Sequence, residues 1–152
     1  MPIHLDAQQW ELINGVPDEL AIEHLLDDLL HVIDKREVYS CSIRVVDIAE
    51  STEFNEKYRN KQGPTNVLSF PFELIPGVET DLLGDLVICG PVVVSEARAQ
   101  KKSVPMHFSH MVVHGVLHLF GYDHMTTKQA EDMEAIEIEV LKRHGYANPY
   151  ES

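Results

Sequence analysis

Three histidines in the last third of the chain have a spacing that suits metal binding. His114 and His118 lie four residues apart in a run without charged residues, Phe108 to Phe120. Residues four apart on a helix share one face, so both imidazoles can reach the same ion. Gly121 allows the backbone to leave the helix, and His124 follows three residues later. Three neutral imidazoles without a fourth protein ligand predict a catalytic site with one Zn²⁺, held by His114, His118, His124 and a water.

The spacing HxxxHxxGxxH is similar to the zinc-binding part of the metzincin proteases, with one difference. Those proteases place a glutamate directly after the first histidine, as the general base of peptide hydrolysis. Here that residue is Gly115, which argues against a peptidase. A glycine inside a helix costs about 1 kcal/mol relative to alanine. Gly115 therefore also indicates either tight packing or the close approach of a substrate or another backbone.

Composition predicts one globular domain that spans residues 1–152. The chain is 44% hydrophobic and 24% charged, and no apolar run has membrane-spanning length. The N-terminal residues lack the basic and apolar regions of a signal peptide. We therefore expect a cytoplasmic protein without membrane contact. Cys41 and Cys89, each in an apolar run, are expected to be buried, reduced thiols.

The charge distribution is uneven. The net charge is −13, from 25 acidic and 12 basic residues, which by itself disfavours binding to nucleic acid. The basic residues cluster, however, at Lys57, Arg59 and Lys61, and again between Arg98 and Lys102. An acidic protein with a local basic site therefore stays open at this point.

Hydrophobic periodicity and end signals predict an α+β fold. Strands are predicted at residues 2–6, 37–47, 67–72 and 81–89, a loop at 74–79, and helices at 17–33, 48–58, 92–101, from 103 through the histidine stretch, and from 126 to about 144. Pro71 predicts an edge or an end for its strand. With strands early and helices late, we expect a small mixed sheet of about four strands packed with helices. The metal-binding helix should be central, because it is so apolar.

Several further motifs accompany the histidines. They are Tyr58-Arg59-x-Lys61, the stretch from Pro64 to Pro71, and Gly84-Asp85. Together with His114–His124 these motifs closely resemble the bacterial YbeY family, over nearly the whole chain. The resemblance implies a zinc-dependent, single-strand-specific endoribonuclease in a single α+β domain. It also implies maturation of the 3′ end of small-subunit rRNA, ribosome quality control, and RNA with the ribosome or ribosomal proteins as partners, whereas DNA is not expected.

The resemblance carries specific residues onto this chain. The family's metal ligands correspond to His114, His118 and His124, and its arginine corresponds to Arg59, so His114 and Arg59 are the expected catalytic residues. A guanidinium near an open metal site suits phosphodiester cleavage, because it can bind a phosphate with two hydrogen bonds and stabilise added negative charge. Without the resemblance, Arg59 would be interpreted equally well as a solvated base at a helix end.

The general base is not evident, because position 115 is a glycine. Asp123 is the nearest carboxylate in sequence, although it suits equally well the role of acceptor for the ring N–H of a ligand histidine. Asp85 and Ser69 are further candidates for the same cleft, or else ordinary turn and sheet residues. The nucleophile is either water or the 2′-OH of the RNA, and the sequence does not choose between them.

Two other functions compete with the nuclease. One is a metallopeptidase or small-molecule amidohydrolase, against which Gly115 argues. The other is a non-catalytic ribosome-assembly factor with a structural zinc ion. Structural zinc sites normally have a fourth protein ligand, usually cysteine. Neither Cys41 nor Cys89 adjoins the histidines, so the open site favours catalysis.

Overall fold

Four strands and five α-helices make up the part of the chain that the computed structural model describes, residues 3–72 and 80–151. In chain order they are β1 (Ile3–Gln8), a short 3-10 helix (Trp10–Leu12), α1 (Glu19–Val32), β2 (Tyr39–Val46), α2 (Ile48–Arg59), β3 (Val67–Pro71), β4 (Leu82–Cys89), α3 (Gly90–Ala99), α4 (Val104–Leu119) and α5 (Thr127–Arg143). The predicted α+β class and the number of strands are confirmed. Pro2 of the first predicted strand and the predicted loop at 74–79 lie outside the described residues.

The sheet is mixed and has the order β1-β2-β4-β3. Strands β1 and β2 pair in parallel, as do β2 and β4, whereas β3 pairs antiparallel with β4. Strand β3 is therefore an edge strand, as Pro71 predicts, because proline has no N–H to donate to a second neighbour. Strand β4 lies in the middle of the sheet, between β2 and β3, although β3 comes before β4 in the sequence.

Side-chain caps set the beginnings of four helices. An oxygen of the residue before the helix accepts a hydrogen bond from a backbone N–H in the first turn, which satisfies a group without a partner in the helix itself. The pairs are Asp18 with Ala21, Asp47 with Glu50, Ser103 with Met106, and Thr126 with Gln129. Thr126 and Gln129 form a capping box, since Gln129 also bonds back to the cap.

Two helix starts differ from the prediction. Helix α1 begins at Glu19, so Pro17 precedes the capping residue instead of standing in the first turn. Helix α3 begins at Gly90, two residues earlier than predicted, with Pro91 in its first turn. A backbone nitrogen in the first turn has no partner within the helix, so a proline is tolerated there. Gly90 and Pro91 therefore belong to the first turn of α3.

Helix α4 is central, as its apolar sequence predicts. It contacts β3 and β4 and also helices α1, α3 and α5, and most of its residues are buried. A Cβ built on Gly115 would lie 2.9 Å from Leu86 Cδ2 and 3.2 Å from Val67 Cγ2. Of the two explanations for Gly115, the structure supports packing: the glycine lets α4 lie close to the sheet.

A second, smaller core lies on the other face of the sheet. Its buried residues are Val46, Leu68, Val87 and Cys89, with Phe54 of α2 packed against them. Cys41 belongs to the larger core, which includes the buried residues of α4. Both cysteines are buried and free, as predicted. Among the described helices, none combines the length and the apolar character needed to cross a membrane.

Gly84 is the position where the sheet and the end of α4 depend most on a glycine. Its φ is +148°, and an added Cβ would lie 2.4 Å from the carbonyl oxygen of Phe70 and 2.9 Å from Leu119. We expect Gly84→Ala to lower the free energy of unfolding by about 2–4 kcal/mol, through backbone strain and overpacking. Thermal unfolding measures this, at about 2–4 °C per kcal/mol for a domain of this size.

Gly145→Ala is the matched control for that substitution. Gly145 also has a positive φ, +81°, but a Cβ added there would have no heavy atom within 4 Å. Only the conformational cost applies at this position, about 1 kcal/mol. Equal losses of melting temperature in the two variants would contradict the close approach at Gly84.

Candidate metal centre and adjoining cleft

The three histidines converge at the C-terminal end of α4. Ring centroids lie 4.6 Å apart for His114 and His118, 5.2 Å for His118 and His124, and 5.7 Å for His114 and His124. One ring nitrogen from each lies within 4.8 Å of the others. Within the part of the chain that the structure describes, this is the group of histidine, cysteine and acidic side chains that can hold a metal ion.

The turn after α4 brings His124 back to the helix. Gly121 has a φ of +93°, a conformation that suits glycine and reverses the chain at a helix end. The N–H of Tyr122 donates to the carbonyl of Leu117 at 3.0 Å. Asp123 then accepts a hydrogen bond from the backbone N–H of His124 at 2.7 Å. These contacts hold the turn so that the third imidazole faces the first two.

Hydrogen bonds orient two of the imidazoles. His114 donates from Nδ1 to Oε2 of Glu137 at 2.6 Å, and His118 donates from Nδ1 to the carbonyl of Tyr122 at 3.0 Å. Each ring therefore keeps the lone pair of Nε2 free, and these two Nε2 atoms face each other at 3.1 Å. Two lone pairs at this distance repel unless a cation lies between them.

The donor set fits a tetrahedral metal ion. Two imidazole nitrogens bound about 2.1 Å from zinc at a tetrahedral angle lie about 3.4 Å apart, close to the separation of the Nε2 atoms. Burial, with the neighbouring imidazoles of His114 and His124, lowers the pKa of His118. A lowered pKa keeps this ring neutral, the form that binds a metal.

Glu137 is the functional residue that sequence reasoning missed. It lies on α5 and is 0% exposed. Besides His114, it accepts hydrogen bonds from Nε2 of His110 at 3.2 Å and from the hydroxyl of Tyr150. Burial acts to raise the pKa of Glu137, but these hydrogen bonds outweigh burial and lower it to about 2. The carboxylate is therefore charged and fixes the orientation of the His114 ring.

A sequence signal for Glu137 does exist. The buried residues of α5 are Met133, Glu137, Val140 and Leu141, which lie at helical spacing on one face. A lone acidic residue in the middle of such an apolar stripe is rarely buried without a partner. This signal predicts a polar partner for Glu137 but does not say which residue it is, so it could not by itself replace Asp123 as the candidate acceptor for a ligand histidine.

The C-terminal segment, the described residues after α5, packs against this carboxylate. Tyr150 donates its hydroxyl to Glu137, and burial together with that carboxylate raises the pKa of Tyr150. Lys102, which follows α3, donates to the carbonyl of Pro149. Pro149 and Tyr150 are thus connected to the end of α3 and, through Glu137, to the histidine group.

Arg59 and Lys61 lie in the same cleft as the histidines. The cleft has a volume of about 690 Å³, and its lining also includes Thr65, Asn66, Val67, Ser69, Pro71, Gly121, Tyr122, Asp123 and Met125. Arg59 is the last residue of α2, and both cations are exposed. The edge strand β3 forms one wall, so the α2–β3 loop reaches around the sheet edge to the histidines.

Two buried polar residues of α2 position that loop. Ser51 donates from Oγ to the carbonyl of Thr65 at 3.0 Å and accepts from the N–H of Thr65 at 3.1 Å. Asn55 donates from its amide to the carbonyl of Gly63 at 2.9 Å. Sequence reasoning did not single out either residue. Their spacing of four on an otherwise polar helix is the available signal.

The remaining predicted residues fall in different places. Ser69 lines the cleft and donates to the carbonyl of Gly115 at 3.1 Å. Asp123 also lines the cleft, but its oxygen accepts from a backbone N–H and not from a histidine ring. Asp85 is not part of this cleft: it accepts a hydrogen bond from Ser42. Side chains alternate along a strand, so Asp85 faces the sheet surface opposite α4.

The chain matches the family model described as Endoribonuclease YbeY over residues 5–145. It is also 45% identical over 150 residues to proteins named Endoribonuclease YbeY from Coxiella burnetii strains Dugway 5J108-111 and RSA 331 / Henzerling II. These matches cover 98% of this chain and 99% of each relative. The chain belongs to the endoribonuclease YbeY family. The resemblance noted in the sequence is thereby confirmed.

A solved structure shows the same fold. The solution structure of TM1509 from Thermotoga maritima superposes with a TM-score of 0.59, at 24% identity, and the match covers 98% of this chain and 97% of that one. The family model includes Arg59, the three histidines and Glu137 within its matched residues, whereas Tyr150 lies beyond the last one, residue 145.

We expect Glu137→Gln to weaken Zn²⁺ binding by about 10- to 100-fold, because residues that orient a ligand histidine contribute on that scale. Competition with a chromogenic chelator measures the affinity, and circular dichroism verifies that the variant is folded. Glu139→Gln is the control, since Glu139 lies on the same helix but pairs with Arg143 at 3.1 Å. A folded Glu137→Gln protein with the affinity of the parent would refute the role assigned to Glu137.

Proposed function

We propose that the protein is a zinc-dependent endoribonuclease that cuts single-stranded RNA. Family membership supports an endoribonuclease role in rRNA processing. The finer proposals are maturation of the 3′ end of small-subunit rRNA and ribosome quality control, in the cytoplasm and with ribosomal partners. The observation that carries the proposal is the meeting of three imidazoles and an arginine in one cleft.

His114, His118 and His124 are the residues that would hold the ion. Their fit rests on the facing Nε2 lone pairs and on the hydrogen bonds that orient two of the rings. Zinc would supply a Lewis acid that stabilises negative charge, and it would lower the pKa of a bound water to about 7. Glu137 keeps the ring of His114 in the tautomer and orientation that this binding needs.

Arg59 is proposed to bind the scissile phosphate. Its guanidinium can donate two parallel hydrogen bonds to phosphate oxygens and oppose the charge that develops in the transition state. Lys61 lies in the same cleft and adds a second positive charge for a neighbouring phosphate. Both side chains are exposed, so an RNA strand can reach them from solvent.

Asp123 is the candidate acceptor for the proton of the attacking hydroxyl. Among the described residues that line the cleft, it is the carboxylate. One of its oxygens holds the His124 N–H, and the second oxygen is available to a proton from water or from the RNA 2′-OH. The ends of the products distinguish these nucleophiles: water leaves a linear phosphate, whereas the 2′-OH leaves a cyclic phosphate.

The competing functions fit the site less well. A side chain at position 115 would point at Leu86 and Val67 in the sheet, so this position cannot offer the carboxylate of a metzincin-type peptidase. A structural zinc site would need a fourth ligand, and Cys41 and Cys89 are buried in the cores on the two faces of the sheet. An open site with an adjacent guanidinium favours phosphodiester hydrolysis.

We expect the protein to cut end-labelled single-stranded RNA and to leave the same sequence intact as a duplex. A chelator should abolish the cutting, and Zn²⁺ should restore it, because the histidines act only as a set around an ion. Mass spectrometry of the fragments then identifies the ends. Protein shown to hold one zinc ion but inactive on single strands would refute the proposal and favour the assembly factor, whereas cleavage of peptides would favour the peptidase.

Two substitutions separate metal binding from phosphate binding. We expect His114→Ala to lose bound zinc and activity together. Arg59→Glu should keep the zinc and lose at least about 100-fold in kcat/KM, the usual cost of removing one transition-state donor. Loss of zinc in Arg59→Glu would contradict the assigned role.

Lys57→Glu is the control for the Arg59 substitution. Lys57 is an exposed base on the same helix, and its Nζ lies 5.3 Å from the ring of Tyr58 without lining the cleft. The same change of charge at this position should leave both zinc content and cleavage close to those of the parent. A large loss of activity would indicate a general effect of charge instead of a contact at Arg59.

A further inference from the structure

A second cavity meets the cleft at the histidine group. It has a volume of about 360 Å³, within the size range of small-molecule sites, and shares His114 and His124 with the cleft. Its other walls include Ala130, Met133 and Glu134 of α5 and Tyr150 of the C-terminal segment. The mechanism proposed above makes no use of this space.

Charge separates the two cavities. Arg59 and Lys61 line the cleft. The described lining of the second cavity contains no lysine or arginine and instead includes the carboxylates of Glu134 and Glu137. A phosphate is therefore attracted to the cleft and repelled from the cavity. The part of a nucleotide that can enter the cavity is its uncharged base.

Tyr150 offers the base a fixed aromatic surface. The residue is 47% exposed, although its hydroxyl is held by the buried Glu137. Its ring meets the His110 ring edge-on, with centroids 5.3 Å apart and planes at 84°. An exposed ring held at its hydroxyl is already ordered for stacking, which is how proteins commonly bind unpaired bases. Met133 and Ala130 add apolar contact area.

Glu134 supplies a polar group to such a site. It is half-buried, and its carboxylate has no hydrogen-bond partner among residues 3–72 and 80–151. A carboxylate accepts hydrogen bonds and cannot donate them. Adenine, cytosine and guanine each present an exocyclic amine that can donate to it, whereas uracil presents carbonyl oxygens on both sides of its one N–H.

We propose that this cavity is a subsite for one unpaired nucleobase beside the scissile phosphate, stacked on Tyr150 and read by Glu134. The proposal rests on RNA as the substrate of the proposed function and adds where one base is bound and which bases fit. A base paired in a duplex cannot turn into the cavity. The subsite therefore supplies a physical reason for a preference for single strands, and it disfavours uracil at one position next to the cut.

The first test measures stacking on Tyr150 separately from its hydroxyl. Fluorescence anisotropy follows binding of the zinc-loaded protein to a labelled 2′-O-methyl phosphorothioate oligonucleotide, chosen to resist cutting. Tyr150→Leu removes ring and hydroxyl, and we expect about tenfold weaker binding. Tyr150→Phe keeps the ring and should bind nearly as well as the parent protein. Equal binding by Tyr150→Leu and the parent protein would overturn the subsite.

The second test concerns the choice of base. Cleavage of RNAs that carry uracil at successive positions around one cut should be reduced several-fold at one position. Glu134→Gln should remove most of that penalty, because an amide can both donate and accept. Glu131→Gln, an exposed neighbour on α5 outside the cavity, should retain it. A penalty that is absent from the parent protein, or unchanged in Glu134→Gln, would overturn the assignment of Glu134.

Failure of the subsite and failure of the nuclease give different results. If the parent protein cuts single strands but the Tyr150 and Glu134 variants match it in binding and base preference, the nuclease stands and the subsite is refuted. If nothing is cut, the anisotropy comparison, with oligoadenylate and oligouridylate as two ligands, still tests the subsite. An absence of any RNA binding would refute both.

Discussion

The hydrogen bond between Glu137 and His114 is the contact on which the rest of the site depends. A fully buried carboxylate is costly unless several donors surround it, and here His114, His110 and Tyr150 provide them. Because Glu137 belongs to α5 and both His110 and His114 belong to α4, these hydrogen bonds connect the two helices and orient them relative to each other. This orientation also leaves the Nε2 atom of His114 facing the Nε2 atom of His118. The same hydrogen bonds therefore contribute both to the packing of α5 on α4 and to the geometry of the metal centre.

Two faces of helix α4 contribute to the site in different ways. On the sheet side, Gly115 lets the backbone approach Leu86, and Ser69 of the edge strand donates to the carbonyl of the same glycine. On the other side, the histidines face α5 and the turn that carries His124. The absence of a side chain at position 115 therefore has a structural cause, and it leaves this position without the glutamate that metzincin proteases carry there. A hydrolase built on this helix has to obtain its charged groups from elsewhere, and Arg59, Lys61 and Asp123 line the same cleft.

The positions of Arg59 and Lys61 in the cleft depend on polar contacts that are not part of the metal centre. Ser51 and Asn55 hold the carbonyls of Thr65 and Gly63, and so determine where the chain turns from α2 into β3. In this way a protein with a net charge of −13 keeps two cations at one place, while Glu134 and Glu137 of α5 line the adjoining cavity. The cleft and the cavity therefore differ in sign within a short distance, which is the arrangement that separates a phosphate from its base.

Local signals in the sequence were enough to predict the class of fold, most element boundaries and the histidine group, and the resemblance of the combined motifs indicated the family. These signals are side-chain caps, hydrophobic periodicity, and a helical spacing of four that makes His114 and His118 neighbours. Four features became known only from the packing of the elements. Strand order depends on which strands meet, and alternation along β4 turned Asp85 away from the cleft. The partner of His114 is distant in sequence, so its identity as Glu137, and not Asp123, required the packing of α5 on α4. Tyr150 reaches the same carboxylate only because the C-terminal segment folds back, a long-range contact that no local pattern encodes.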